Sequence, residues 1–208
     1  MSARIERVIT SGIFSLDGQD FEVDNNVWLI GDDSGVIIVD AAHQPDVIMD
    51  AVAGREVQAI VCTHAHNDHI NAVADLVAAT GAAVYLHPAD TMLWDVVNAG
   101  VGFRPLGDGD RLAVAGVDVQ VIHTPGHSPG GVCLYIPSLG AVLSGDTLFC
   151  GGPGATGRSF SDFPTILDSI RERLLTLPPE TRVLTGHGDE TAIGVEAATY
   201  DDWVARGH

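Results

Sequence analysis

Short apolar runs rich in β-branched residues and bounded by Gly, Asp or Pro recur along the chain, at residues 26–31, 35–40, 57–63, 83–87, 111–115, 117–123, 132–136 and 141–144. Runs of this length and composition predict strands. Between some of them the spacing becomes helical. Residues 45–53 and 88–98 carry such patterns, and residues 70–80 place Ile70, Val73, Leu76 and Val77 on one face, with Gly81 positioned to end the helix. Further on, Ser161 or Asp162 can cap a helix with Pro164 in its first turn and Ile166, Ile170 and Leu174 down one side, stopped by Pro178 and Pro179. A weaker helical pattern covers residues 191–206. Strands interspersed with helices predict an α/β or α+β class with one shared core, and the periodicity leaves the topology open. Residues 147–162 form one long, glycine-rich, unpatterned stretch that holds Arg158 and Phe160. A loop of that length in a compact domain is functional or disordered. No repeat, charge block or composition shift marks a linker, so residues 1–208 read as a single domain.

Composition narrows the partners. With 208 residues, 46% of them hydrophobic, the chain can bury roughly 70% of its unfolded surface and needs no disulfides. Cys62, Cys133 and Cys150 are odd in number and lack CxxC spacing, which fits a reducing compartment better than a secreted framework. All ten basic residues are arginine, set against 28 acids for a net charge of −18. Such a surface repels polyanions, so neither nucleic acid nor an anionic membrane is an expected partner. The opening MSARIERVIT has no signal-peptide core, and no stretch approaches the ~18 apolar residues of a membrane span. The expectation is a cytoplasmic protein, with its oligomeric state left open.

The strongest chemical signal is Thr63-His64-Ala65-His66-Asn67-Asp68-His69, immediately after the apolar run Ala59-Ile60-Val61-Cys62. In extended backbone His64 and His66 point to one side, and the turn through Asp68 and His69 brings a carboxylate and a third imidazole close by. That is more than one tetrahedral site needs, and a second ion is the economical explanation. Three more polar residues sit where strands run into glycine-rich turns: His127 in TPGHSPGG, Asp146 in SGDT and His187 in TGHGD. Together the five histidines and two aspartates can give three imidazoles to one ion, an aspartate and two imidazoles to another, and one carboxylate between them. Imidazole and carboxylate without thiolate suit zinc, iron or manganese, and softness does not choose among them; zinc is taken as the expected ion.

The motifs THAHNDH, TPGHSPGG, SGDTLF and TGHGDE, in that order over most of the chain, resemble the metallo-β-lactamase fold superfamily, and within it the chain is most similar to glyoxalase II-like thioester hydrolases. The resemblance implies an αββα sandwich with a dinuclear site at one edge of its sheets. It implies His64, His66 and His127 on the first divalent ion, Asp68, His69 and His187 on the second, and Asp146 bridging. His69 in that block, and the lack of a leader peptide, point away from antibiotic hydrolysis. The resemblance departs in two places. Only a short stretch follows His187, where glyoxalase II has a helical extension that supplies much of its glutathione pocket, so those contacts are not carried over. Gly157-Arg158-Ser159-Phe160 is similar to a substrate-lining stretch of the family but is displaced by an apparent insertion around residues 152–155. It makes Arg158 and Phe160 the substrate-binding candidates, with Arg158 gripping a substrate carboxylate.

Other polar residues read more simply. Asp40, His43, His87 and His123 are expected to orient or turn rather than ligate. Cys150 is expected to be structural, and Trp28 and Trp94 belong to the core. The expected activity is a metallohydrolase that cleaves a thioester of a low-molecular-weight thiol, with Asp68 and Asp146 as its catalytic carboxylates. A single-iron persulfide dioxygenase and a lactonase are the alternatives.

Overall fold

The computed structural model describes residues 2–16 and 19–207. Two six-stranded sheets face one another. The first runs in the order β1 (Arg4–Leu16), β2 (Gln19–Gly31), β3 (Gly35–Val39), β4 (Glu56–Val61), β5 (Ala83–Leu86) and β6 (Arg104–Pro105). It is antiparallel from β1 to β3 and parallel from β3 to β6. The crossovers carry α1 (Pro45–Val52), α2 (Asn67–Ile70), α3 (Val73–Thr80) and α4 (Thr91–Val97). The second sheet uses β7 (Arg111–Val114), β8 (Val117–His123), β9 (Val132–Ile136), β10 (Ala141–Gly145), β13 (Arg182–Thr185) and β14 (Thr191–Ala192). Its order is β14-β13-β10-β9-β8-β7, with β10 and β13 parallel. A small hairpin of β11 (Leu148–Phe149) and β12 (Gly152–Pro153) follows β10, and α5 (Phe163–Ser169), α6 (Ile193–Ala197) and α7 (Tyr200–Arg206) complete the chain.

Strand side chains alternate between faces, and here both faces are buried, which explains the near-continuous apolar runs. Trp28, Ile30, Ile37, Val39 and Val61 point from the first sheet into the space between the sheets, where they meet Val119, Val121, Leu134, Leu143 and Leu184 of the second. Their neighbours Val27, Leu29, Ile38 and Ile60 point the other way, against Ile48, Val52, Leu76 and Trp94 of the first helical layer. On the far side Cys133, Val142 and Val183 meet Ile166, Ile170, Leu174 and Trp203 of the second helical layer. The layers are therefore helix, sheet, sheet, helix, as the motifs imply.

Several elements differ from the sequence expectation. The strand at residues 26–31 is the inner half of a 13-residue β2 paired along its length with an equally long β1, and the four-residue β13 was not expected at all. The predicted helix over 70–80 is two helices, α2 and α3, with Gly81 in the left-handed conformation ending the second. Helix α5 continues as a π-helical turn through residues 170–174, where Leu175 N donates to Ile170 O, and both Ile170 and Leu174 stay buried. Residues 191–206 hold a short strand and two helices rather than one helix. The expected unpatterned loop over 147–162 contains the β11–β12 hairpin. Cys150 sits exposed in that turn, contrary to its expected structural role, because a two-residue-strand hairpin has no interior to bury it in. No helix among the described residues is long and apolar enough to cross a membrane.

Candidate metal centre

All seven expected ligands converge at one edge of the two sheets, each on the segment that follows a strand. After β4 the chain stays extended through His66, which has φ −69° and ψ 146°, and then enters α2 with Asp68 and His69. His127 lies between β8 and β9, Asp146 directly after β10, and His187 after β13. The expected ligands form two three-residue groupings, His64 with His66 and His127, and Asp68 with His69 and His187, and a third joins Asp40 to His64 and His69; in each the ligand atoms lie within 4.8 Å of one another. Asp146 stands between the groupings: Oδ1 is 3.3 Å from His69 Nε2, and Oδ2 is 3.5 Å from His127 Nε2 and 3.6 Å from His187 Nε2.

Hydrogen bonds aim the imidazoles. His127 Nδ1–H donates to Ala155 O, His187 Nδ1–H to Asp24 O, and His69 Nδ1–H to Asp40 Oδ2. Thr63 Oγ1 donates to Asp40 Oδ2 and so accepts from His64 Nδ1. Four imidazoles are thereby left with Nε2 turned into the site, while His66 presents Nδ1, 2.9 Å from His127 Nε2. This is the way proteins fix the tautomer and direction of metal-binding histidines. Nitrogen lone pairs brought this close need a shared cation or proton, and buried His64 Nε2 has no hydrogen-bond partner among the described residues. The donor set fits divalent transition-metal ions. The space is also matched: a Cβ on Gly186 would lie 2.3 Å from Asp146 Oδ1 and 2.8 Å from His69 Cε1, so that position must be glycine.

Burial and charge set the protonation states. Burial, reinforced by the neighbouring imidazoles, pushes His64 well below the ordinary histidine range and His66 down to about 4. Burial works against the Asp68 carboxylate too, but the charge on His69 and the bond with His187 outweigh it and hold Asp68 at about 2. Asp146 is likewise held far below its usual value by His69 despite burial. Conversely, Asp146 and Asp68 raise His69 well above 6.5 against the pull of burial. His64 and His66 are thus neutral, while Asp68 and Asp146 stay ionised around a His69 that holds its proton.

Asp40, expected to orient, makes hydrogen bonds that fit that role, although its carboxylate also lies within 4.8 Å of ligand atoms of His64 and His69. It adopts a left-handed φ of 57° with its carboxylate buried, accepting from Thr63 N, Thr63 Oγ1 and His69 Nδ1, a strained backbone held in place by the bonds it makes. His43, also at φ 57°, donates from Nε2 to Asn25 Oδ1 and is gripped by Asn71 at both its backbone N and Nδ1. Asn25 Nδ2 in turn lies 3.5 Å from both Asp68 Oδ2 and His187 Nε2. His87 and His123 stack on one another, centroids 4.1 Å apart, outside both groupings. Sequence reasoning missed Asn25, Asn71 and Asp90, single polar residues that no spacing marks.

The metal edge opens into a cavity of about 440 Å³ with apolar walls from Phe14, Val23 and Phe149. A second cavity of similar size beside it is lined by Leu93, Val96 and Val97 of α4 and by Phe160. Arg158, Phe14 and His66 line both. The Arg158 guanidinium lies 5.4 Å from the centre of the Phe14 ring, a cation–π arrangement. Phe160 is 56% exposed and lines only the second cavity.

The model of the metallo-β-lactamase superfamily matches residues 21–187. The chain therefore belongs to that superfamily. It is 37% identical over 188 residues to a probable metallo-hydrolase, YqgX, of Bacillus subtilis, covering 83% of this chain and 88% of that one. It is 35% identical to hydroxyacylglutathione hydrolase of Methylobacillus flagellatus, over 79% of this chain and 62% of that enzyme. Among solved structures it resembles TTHA1623 in a di-iron-bound form, with 38% identity and a TM-score of 0.78 over 85% of this chain and 94% of that one. ETHE1 from Myxococcus xanthus superposes with 28% identity and a TM-score of 0.70, covering 83% and 76% of the two chains.

Proposed function

We propose that the protein is a dinuclear metal-dependent hydrolase that cleaves thioesters of a low-molecular-weight thiol. The observation that carries the reading is the second grouping: Asp68, His69 and His187 are complete and separately oriented, with Asp146 between them and the first set. Bound divalent ions would supply a water of lowered pKa and polarisation of the scissile carbonyl. His64, His66 and His127 would hold one, Asp68, His69 and His187 the other, with Asp146 between them. Zinc suits these donors, and the di-iron form of TTHA1623 supports iron equally.

The chain's own groups support the reaction. Asp68 and Asp146 are ionised acceptors across the working pH range, placed to orient a nucleophilic water and take its proton. A thiolate leaving group, of pKa ~8.5 for a simple thiol, departs with little help from a general acid. Arg158 is the cation placed between the metal-edge cavity and the apolar one, suited to a carboxylate on the thiol. The likeness to hydroxyacylglutathione hydrolase supports the reaction class. The likeness to ETHE1 supports the second reading, a single-iron persulfide dioxygenase, for which the complete second ligand set would be superfluous. The soluble small-molecule partner and cytoplasmic setting belong to the same proposal.

The test combines elemental analysis with a panel of thioesters, lactones and persulfides. The expected result is close to two ions per chain and turnover of thioesters, with Arg158→Ala raising KM for anionic thioesters roughly tenfold to a hundredfold, equivalent to ~1.4–3 kcal/mol, and leaving neutral ones nearly unchanged. One iron per chain with oxygen uptake on a persulfide would establish the second reading instead.

A further inference from the structure

Asp90 occupies the residue before α4, a position where an aspartate ordinarily caps the helix with its side chain, yet its carboxylate makes no capping bond. It is fully buried and turned away from the helix. Oδ2 accepts from Ala65 N at 3.0 Å and Ser128 Oγ at 2.8 Å, and Oδ1 accepts from Gly130 N at 2.5 Å. Ala65 lies between His64 and His66; Ser128 and Gly130 lie just past His127. The carboxylate therefore clamps together the two loops that carry the first histidine grouping, which come from different sheets. Gly130 makes the approach possible, since a Cβ there would lie 2.7 Å from Asp90 Cγ. No ion pair joins Asp90 to a cation among the described residues, so these three donors are what satisfy its buried carboxylate oxygens.

We infer that Asp90 is a positioning residue that sets the spacing of His64, His66 and His127 and thereby the affinity of that grouping for its ion. The inference rests on the metal-hydrolase reading. Both carboxylate oxygens act as acceptors, and asparagine offers only one. Asp90→Asn keeps the volume but turns an NH₂ towards either Gly130 N or Ala65 N, donor against donor, and pushes one loop away. Ser128→Ala removes a single donor and leaves the carboxylate in place.

The experiment measures both metal-binding constants of the full chain by chelator competition with zinc, taking His66→Ala to identify the first ion. Asp90→Asn is expected to weaken that ion by roughly tenfold to a hundredfold, the usual range for groups that orient ligands, with the other ion shifted less than about threefold. Ser128→Ala should move the same constant in the same direction by less, and excess zinc should restore kcat in both. Equal weakening of both ions, or no weakening in either variant, would overturn the inference while leaving the hydrolase reading intact. If Asp90→Asn does not fold, Ser128→Ala alone decides it by the same criterion. A wild-type chain that binds neither zinc nor ferrous iron would overturn the metal reading, and the role of Asp90 with it.

Discussion

At the residue scale the site depends on contacts that leave no slack. Asp146 reaches towards His69, His127 and His187, and Gly186 packs against both Asp146 and His69. Asp146→Ala should therefore retain a native circular dichroism spectrum while turnover falls at least roughly a hundredfold, and Gly186→Ala should lower metal content as seen by elemental analysis, because the new methyl displaces the carboxylate. Unchanged turnover in Asp146→Ala would remove that residue from its bridging role. Of the seven candidate ligands, His64, His66, Asp68 and His69 were legible because they cluster at a spacing with few bland explanations, whereas His127, Asp146 and His187 stood out through the order of the motifs that hold them. Asp90, Asn25 and Asn71 were not, for a physical reason: each acts through a bond to a backbone amide or to another side chain far away in sequence, and such partnerships leave no periodicity behind.

At the element scale legibility followed burial. Strands buried on both faces, such as β3, stand out as continuous apolar runs. The outer part of the β1–β2 hairpin is exposed on both sides, with Ile9, Ile13 and Phe21 each open to solvent, so its apolar residues alternate with polar ones that a strand search discounts. Strand β13 offers only Val183 and Leu184 between Arg182 and Thr185, too short a run to identify before its parallel partner β10 is known. The C-terminal region shows the reverse case, where one residue anchors a weakly patterned helix. Trp203 is 2% exposed and joins α7 to the second helical layer. Trp203→Ala should cost about 3–5 kcal/mol, measured by denaturant unfolding, with metal stoichiometry unchanged because the ligands lie elsewhere. A loss below 1 kcal/mol would mean that α7 is only loosely docked.

For the whole molecule, the metal-free protein should be most stable near pH 6.5. The folded-state values of His64 and His66 lie below 6.5. Their contribution is present above that pH and fades as pH falls towards 4. Asp68 and Asp146, also depressed, add a further loss below 3.8. His69 and His187 are raised, so their contribution is complete below 6.5 and fades as pH rises through their folded values. Thermal midpoints from pH 4 to 9 should fall on both sides of the maximum, and loading with metal should flatten the alkaline limb, since ligation replaces the proton on His69. A flat profile without metal would contradict this balance. The division of ligands between two sheets has one more consequence, for the order of events during synthesis. A nascent chain that has delivered only its first sheet displays His64, His66, Asp68 and His69, but His127, Asp146 and His187 are still to come, and neither grouping can close without them. On the proposed ligand assignment, filling both groupings would have to wait for assembly of the sandwich, with only Asp40, His64 and His69 close enough to one another before it.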